Sequence, residues 1–145
     1  MINLVKKKTY FTIDEMCRSY TAQMYNIDNT PDETIVEHLY ELIDVLNPLR
    51  EAWGSAIRVT SGYRCEKLNE LVGGVKTSMH KKGYAADLYP ANGKIKEFKK
   101  FVVEYLKNKD FDQCILERSK KSEWVHFGLW NNMHQQRHQI FSLDA

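Results

Sequence analysis

The side chains best suited to chemistry fall in two short stretches. "SMHKKGYAADLY", Ser78 to Tyr89, carries His80 and, seven residues on, Asp87, with Ala85 and Ala86 beside the acid. "EWVHFGLW" carries His126 among aromatic residues, with Glu123 three positions before it. If Tyr84 to Leu88 is a strand, Asp87 can point across the sheet toward a neighbouring strand, and the two alanines leave room around it. Two histidines and one carboxylate from separate segments suit zinc, with the fourth tetrahedral position left to water, as in a catalytic rather than a closed structural site. A carboxylate such as Glu123 can take a proton from that water, and Arg64, ending "TSGYR", offers a rigid fork for a substrate oxygen. Taken singly, each residue has a plainer reading: satisfied polar groups at a strand end, a solvated loop acid, a surface ion pair. Positions three apart on a regular strand also face opposite sides, so Glu123 joins His126 only from just before the strand or from a bulge.

The remaining histidines are weaker candidates. His38 lies beside Glu37 on the polar side of a helical pattern and reads as a surface residue. His134 and His138 have i, i+4 spacing but lack the glutamate of H-E-x-x-H. Cys17, Cys65 and Cys114 are odd in number, far apart and in no C-x-x-C pair, so they read as reduced thiols rather than disulfides or zinc ligands.

Helices and strands must position these groups. "TIDE" is a capping box at Thr12, predicting a short helix to about Tyr20. "TPDE" repeats the signal, with Thr30 as cap and Pro31 at the first helical position. Ile35, Val36, Leu39, Leu42, Ile43, Leu46 and Leu49 then form a helical stripe toward Trp53, with Pro48 expected to kink or restart the helix and Gly54 to end it. "AIRVTSGY", "GYAADLY", "FDQCILE" and "EWVHFGLW" read as strands, and "CEKLNELVGG" as one or two helical turns. "KIKEFKKFVVEYLKN" is amphipathic with its lysines on a solvated face. The tail after Trp130 has no clear period. No repeat or linker breaks the chain, so residues 1–145 read as one α+β domain, helices first and strands later.

Bulk properties narrow the function classes. A chain of 145 residues with 43% hydrophobic content and net charge +2 can bury a core and gives no electrostatic case for nucleic acid. The aromatics of the lysine-rich helix fall on its inward side, so they form no stacking platform for bases. No apolar run approaches the ~20 residues that span a bilayer, and no secretory signal is visible at the N-terminus.

Together the motifs resemble a known family. "SMHKKGYAAD" matches the S-x-H-x-x-G-x-A-x-D motif of the zinc D-alanyl-D-alanine carboxypeptidase and dipeptidase family, "SEWVHF" its E-x-x-H motif, and "SGYR" the segment with its substrate-binding arginine. The match runs from about Arg58 to Leu129, and the preceding helices resemble small phage and prophage members. The resemblance implies an α+β fold with N-terminal helices followed by a small antiparallel sheet carrying the zinc site, as in the carboxypeptidase and hedgehog-like folds. It implies one Zn2+ per chain on His80, Asp87 and His126, Glu123 as general base, Arg64 at the substrate, and Ser78 steadying the loop or touching substrate. The function so implied is a zinc-dependent peptidase cutting bonds of D-amino acids in peptidoglycan stem peptides, as a carboxypeptidase or an endolysin. A monomer is expected, made in the cytoplasm and acting on the cell wall after release, or associated with a phage. The competing reading is a non-catalytic zinc-containing module of a phage particle.

Overall fold

The computed structural model describes residues 8–129 and 135–144. Helices α1 (Ile13–Cys17), α2 (Tyr20–Met24) and α3 (Glu33–Trp53) come first. Strand β1 (Ile57–Ser61), helix α4 (Glu66–Leu71), a 3-10 turn (Met79–Lys82), strand β2 (Ala85–Pro90) and helix α5 (Ile95–Leu106) follow. Strands β3 (Gln113–Arg118), β4 (Glu123–Gly128) and β5 (Gln139–Asp144) complete the described elements.

Local chemistry explains most boundaries. Thr12 accepts the Glu15 N–H at 3.1 Å and starts α1, as its capping box requires. The helix expected to reach Tyr20 instead stops at Cys17, because Ser19 caps a second short helix by accepting the Ala22 N–H. Asp32, not Thr30, caps α3 by accepting the Ile35 N–H at 2.8 Å. The Thr30 hydroxyl is turned back to Asp28 and cannot serve. Pro48 does not divide α3 into two elements. The flanking Leu46 and Leu49 are fully packed, and that packing outweighs the hydrogen bond Pro48 cannot donate. Gly54 ends the helix in the left-handed conformation at φ +80°.

The five strands lie in the order β1-β2-β4-β3-β5. Neighbours pair antiparallel except β5, which runs parallel to β3, so the sheet is mixed rather than the antiparallel one expected. Helices α4 and α5 also lie between strands, which modifies the helices-first order. The parallel pairing starts at a buried acid. Asp112, 1% exposed, accepts from the Arg137 backbone N–H, Nε and Nη2, and the Gln139 N–H donates to its carbonyl. Both strands therefore begin at the same end and run the same way. Every residue of β5 is exposed, so no burial alternation marks it in sequence.

The two sheet faces differ in chemistry. Ala86, Leu88, Cys114, Val125 and Phe127 are buried with Leu39, Leu42, Leu46, Phe98 and Val102 of α3 and α5 in one core. A fully buried side chain of this size contributes about 1.5–3 kcal/mol. The register places Asp87, Ile115, Glu117, Trp124 and His126 on the opposite face. That face carries the polar cluster.

Candidate metal centre and active site

His80 is aimed by the 3-10 turn that holds it. The Ser78 hydroxyl accepts the His80 N–H at 3.2 Å, and Gly83, at φ +77°, closes the turn. The ring is 3% exposed, and its Nδ1–H donates to the Gly62 carbonyl at 2.7 Å. That bond fixes the tautomer and leaves Nε2 as an acceptor, 3.4 Å from Asp87 Oδ1. Gly62 is needed at this point, since a Cβ there would overlap the Met16 carbonyl oxygen. Strand β1 can approach α1 closely only without a side chain.

Asp87 and His126 are direct partners across β2 and β4. His126 Nδ1 stands 3.0 Å from Asp87 Oδ1, and one donor atom from each of His80, Asp87 and His126 lies within 4.8 Å of the others. Zinc bonds of about 2.0–2.2 Å at tetrahedral angles set ligand atoms about 3.4 Å apart. Two nitrogens and one oxygen at these separations fit that ion with a coordination position left open. Burial pushes the Asp87 carboxyl up, but hydrogen bonds and attraction from His126 and His80 outweigh it and hold the group well below the usual carboxylate range.

Arg64 reaches the same cluster from the loop after β1. Its backbone N–H donates to the His80 carbonyl at 3.1 Å, and Asn29 clamps the peptide groups on both sides. Asn29 Nδ2 donates to the Tyr63 and Cys17 carbonyls, while its Oδ1 accepts the Cys65 N–H. The guanidinium donates through Nε to Ser61 Oγ and through Nη1 to Asn69 Oδ1, with Nη2 3.7 Å from Asp87 Oδ2. Burial lowers its pKa, and the charges of Asp87 and Glu117 oppose that shift.

Glu117 on β3 is a second acid on the site face, beside Asp87. Its register partner is Trp124, whose indole N–H donates to Glu117 Oε2 at 2.9 Å. Burial raises its pKa above the ordinary glutamate value, and the charge of Asp87 adds to this, while His126, the Trp124 bond and His80 pull it down. The carboxylate thus feels all three candidate ligands.

The peptidase M15 family pattern matches residues 9–128. The chain belongs to the peptidase M15 family. Comparison with curated proteins gives no match. M15 peptidases are zinc-dependent hydrolases related to the D-alanyl-D-alanine carboxypeptidases, and the fold brings His80, Asp87 and His126 together as a group able to hold such an ion.

In this M15 peptidase the register sets Glu123 on the sheet face opposite the candidate ligands. Glu123 is the first residue of a regular strand, and pairing with β3 is continuous from Arg118↔Glu123 to Gln113↔Gly128 without a bulge. The period of two therefore puts Glu123 on the helix face with Val125 and Phe127, where its carboxylate lies 4.0 Å from Lys99 Nζ of α5. Glu117 is not among the candidates that the motifs single out, although the register sets it on the ligand face. A signal existed: a hairpin turning through Ser119–Ser122 sets residue 117 opposite 124 and 115 opposite 126, on the side of His126.

Other candidates fall elsewhere. His38 is half-buried at the surface, where it stacks on Tyr84 at 4.2 Å and bonds the Lys82 carbonyl. His138 pairs with Asp110 at 2.9 Å at the start of β5, and His134 lies outside the described residues. Cys17, Cys65 and Cys114 are free thiols.

Proposed function

We propose that this M15 peptidase hydrolyses peptide bonds involving D-amino acids in bacterial peptidoglycan, as a carboxypeptidase or an endolysin-type endopeptidase. The reading takes residues 1–145 as one monomeric domain with one zinc ion on His80, Asp87 and His126. It acts on the cell wall after release from the cytoplasm or from a phage particle. The observation that carries it is the meeting, at one face of the sheet, of three side chains able to hold a metal, the Arg64 cation and the Glu117 carboxyl with its raised pKa.

When bound there, zinc supplies a Lewis acid that polarises a carbonyl and makes water more acidic. The protein groups supply the rest. Glu117, held by the Trp124 indole, accepts the proton of the attacking water at a carboxylate oxygen and returns it to the leaving amine nitrogen. A raised pKa suits both halves of that shuttle. Arg64 donates to the scissile carbonyl oxygen or orients the substrate. Ser78 acts through the turn, since its hydroxyl is engaged by the His80 N–H. A groove along β1, lined by Arg58, Thr60, Ser61 and Arg64 with Arg18 and Tyr20 also on its wall, supports an extended peptide as ligand. Its cations match the carboxylates of wall stem peptides.

The test is mass spectrometry of purified peptidoglycans of several stem chemistries after incubation with zinc-loaded protein. New peptide termini from the wild type, absent with Glu117→Gln, are the expected result, and their masses name the bond. Intact stems throughout, with zinc still bound, would leave a non-catalytic zinc module instead.

A further inference from the structure

Arg64 has more holding it than a surface arginine needs, and the residue that turns its guanidinium is Asn69. Asn69 is only 1% exposed although it is an amide on a short helix. Its Oδ1 accepts from Arg64 Nη1 at 3.1 Å, and its Nδ2 donates to the Val75 carbonyl at 2.9 Å. Its own backbone N–H donates to the Cys65 carbonyl, and its carbonyl accepts the Gly74 N–H at 2.8 Å. The amide is thus fixed at both ends. A buried amide is tolerated when its polar atoms are paired, and removing one partner leaves the other unsatisfied.

Gly74 covers this arrangement from outside. A Cβ at Gly74 would overlap Asn69 Oδ1 and stand 2.9 Å from Arg64 Nη1. Its backbone has no left-handed φ, so alanine is excluded by the neighbours rather than by conformation. Ser61 and Asn69 take up Nε and Nη1, and this directs Nη2 to the Asp87 side, at the cluster of candidate metal ligands.

We infer that Asn69, seated by Gly74, is a positioning residue that locks the Arg64 guanidinium in its substrate-facing orientation. The inference rests on the reading of Arg64 as the group that meets substrate. Positioning of this kind matters because a displacement of about 1 Å of a reacting or orienting group lowers rates by about 10²-fold.

The experiment uses the full chain loaded with zinc. Nitrogen-15 spectra of the guanidinium groups, with the Arg64 signal assigned by its loss in Arg64→Lys, report rotation about the Cζ–N bonds. Slow rotation and separate Nη1 and Nη2 signals are expected in the wild type, with averaging in Asn69→Ala and Gly74→Ala while the backbone amide spectrum is retained. Asn69→Asp, which keeps the acceptor, should stay slow. Gly74→Ala leaves Asn69 itself in place and serves if Asn69→Ala does not fold. Free rotation in the wild type, or slow rotation surviving in both Asn69→Ala and Gly74→Ala, would overturn the inference.

Turnover of wall peptides supplies the second readout. Asn69→Ala should lower kcat/KM by about 10²-fold in the wild-type background and change it less than about twofold in an Arg64→Ala background. Equal losses in both backgrounds would show that Asn69 acts elsewhere and sink the assignment. Full activity of Arg64→Ala would remove the premise, and a spectrum still frozen through Asn69 would distinguish that failure from failure of the cradle.

Discussion

Two glutamates within six residues of one hairpin meet different fates because a strand alternates its side chains. Glu117 faces His126 and Asp87, whereas Glu123 faces α5 and Lys99. Replacing Glu117 with Gln should lower kcat by about 10²–10⁴-fold, the usual share of a general base, with zinc content unchanged. Glu123→Gln should stay within about threefold of wild type, because what is lost is a long, part-buried ion pair with Lys99 on the face away from the candidate ligands. Steady-state kinetics beside metal analysis separates the two, and a dead Glu123→Gln with an active Glu117→Gln would reverse the assignment. A second residue-scale prediction concerns Cys114, whose thiol is pushed up to about 12 by burial from an ordinary value of 9.0. Below pH 9 the folded and unfolded states both keep the proton. Between 9 and about 12 the unfolded thiol ionises while the folded one does not, so stability falls as pH rises through that window. Urea unfolding at pH 8 and 10.5 should show this fall, and Cys114→Ala should make it shallower.

At the scale of elements, the site depends on a contact between α1 and the end of β1. Gly62 brings its carbonyl to His80 Nδ1 only because nothing stands between it and the Met16 carbonyl. Gly62→Ala should therefore cost about 1–3 kcal/mol of stability through overpacking. It should also weaken zinc by about 10–100-fold, the range for loss of a partner that orients a ligand histidine. Competition with a chromogenic chelator checks the second effect and denaturant unfolding the first. A stable Gly62→Ala protein with unchanged zinc affinity would mean that the turn alone orients His80. The 3-10 turn is the other positioning element, and Ser78 and Gly83 at its two ends account for two positions of the S-x-H-x-x-G motif in physical terms.

At the scale of the whole molecule, metal binding at the candidate site would be linked to folding, since His80, Asp87 and His126 come from elements that meet only in the folded chain. Zinc at about 100 times its dissociation constant should add about 2.7 kcal/mol of stability, raising Tm, and a chelator should reverse the shift. Calorimetry with and without zinc, repeated on Asp87→Ala, provides the check: an equal shift in the variant would place the bound ion elsewhere. Among the described residues no helix is long and apolar enough to cross a membrane.

Much of this organisation is legible in the residues themselves. Local signals carry their own geometry: Thr12 caps α1, Gly54 ends α3, and the stripe from Leu39 to Leu49 is buried as its spacing requires. Taken singly, His80, Asp87, His126 and Arg64 each have a plainer reading, and the metal-centred peptide chemistry is legible only through the resemblance of "SMHKKGYAAD", "SEWVHF" and "SGYR" to a zinc peptidase family. Strand register is a different kind of information. Nothing in "SEWVHF" alone states whether Glu123 stands at a bulge, and a shift of one residue exchanges the two faces. Likewise β5 has no buried face to impose a period, and its direction follows from the Asp112–Arg137 contact across distant segments. The sequence by itself determined the metal-ligand candidates, Arg64 and most of the helices and strands that carry them, but neither β5 nor the place of Glu117. Tertiary pairing decided which glutamate faces the ligands, because a side chain's neighbours across a sheet are set by its partner strands rather than by its own position in the chain.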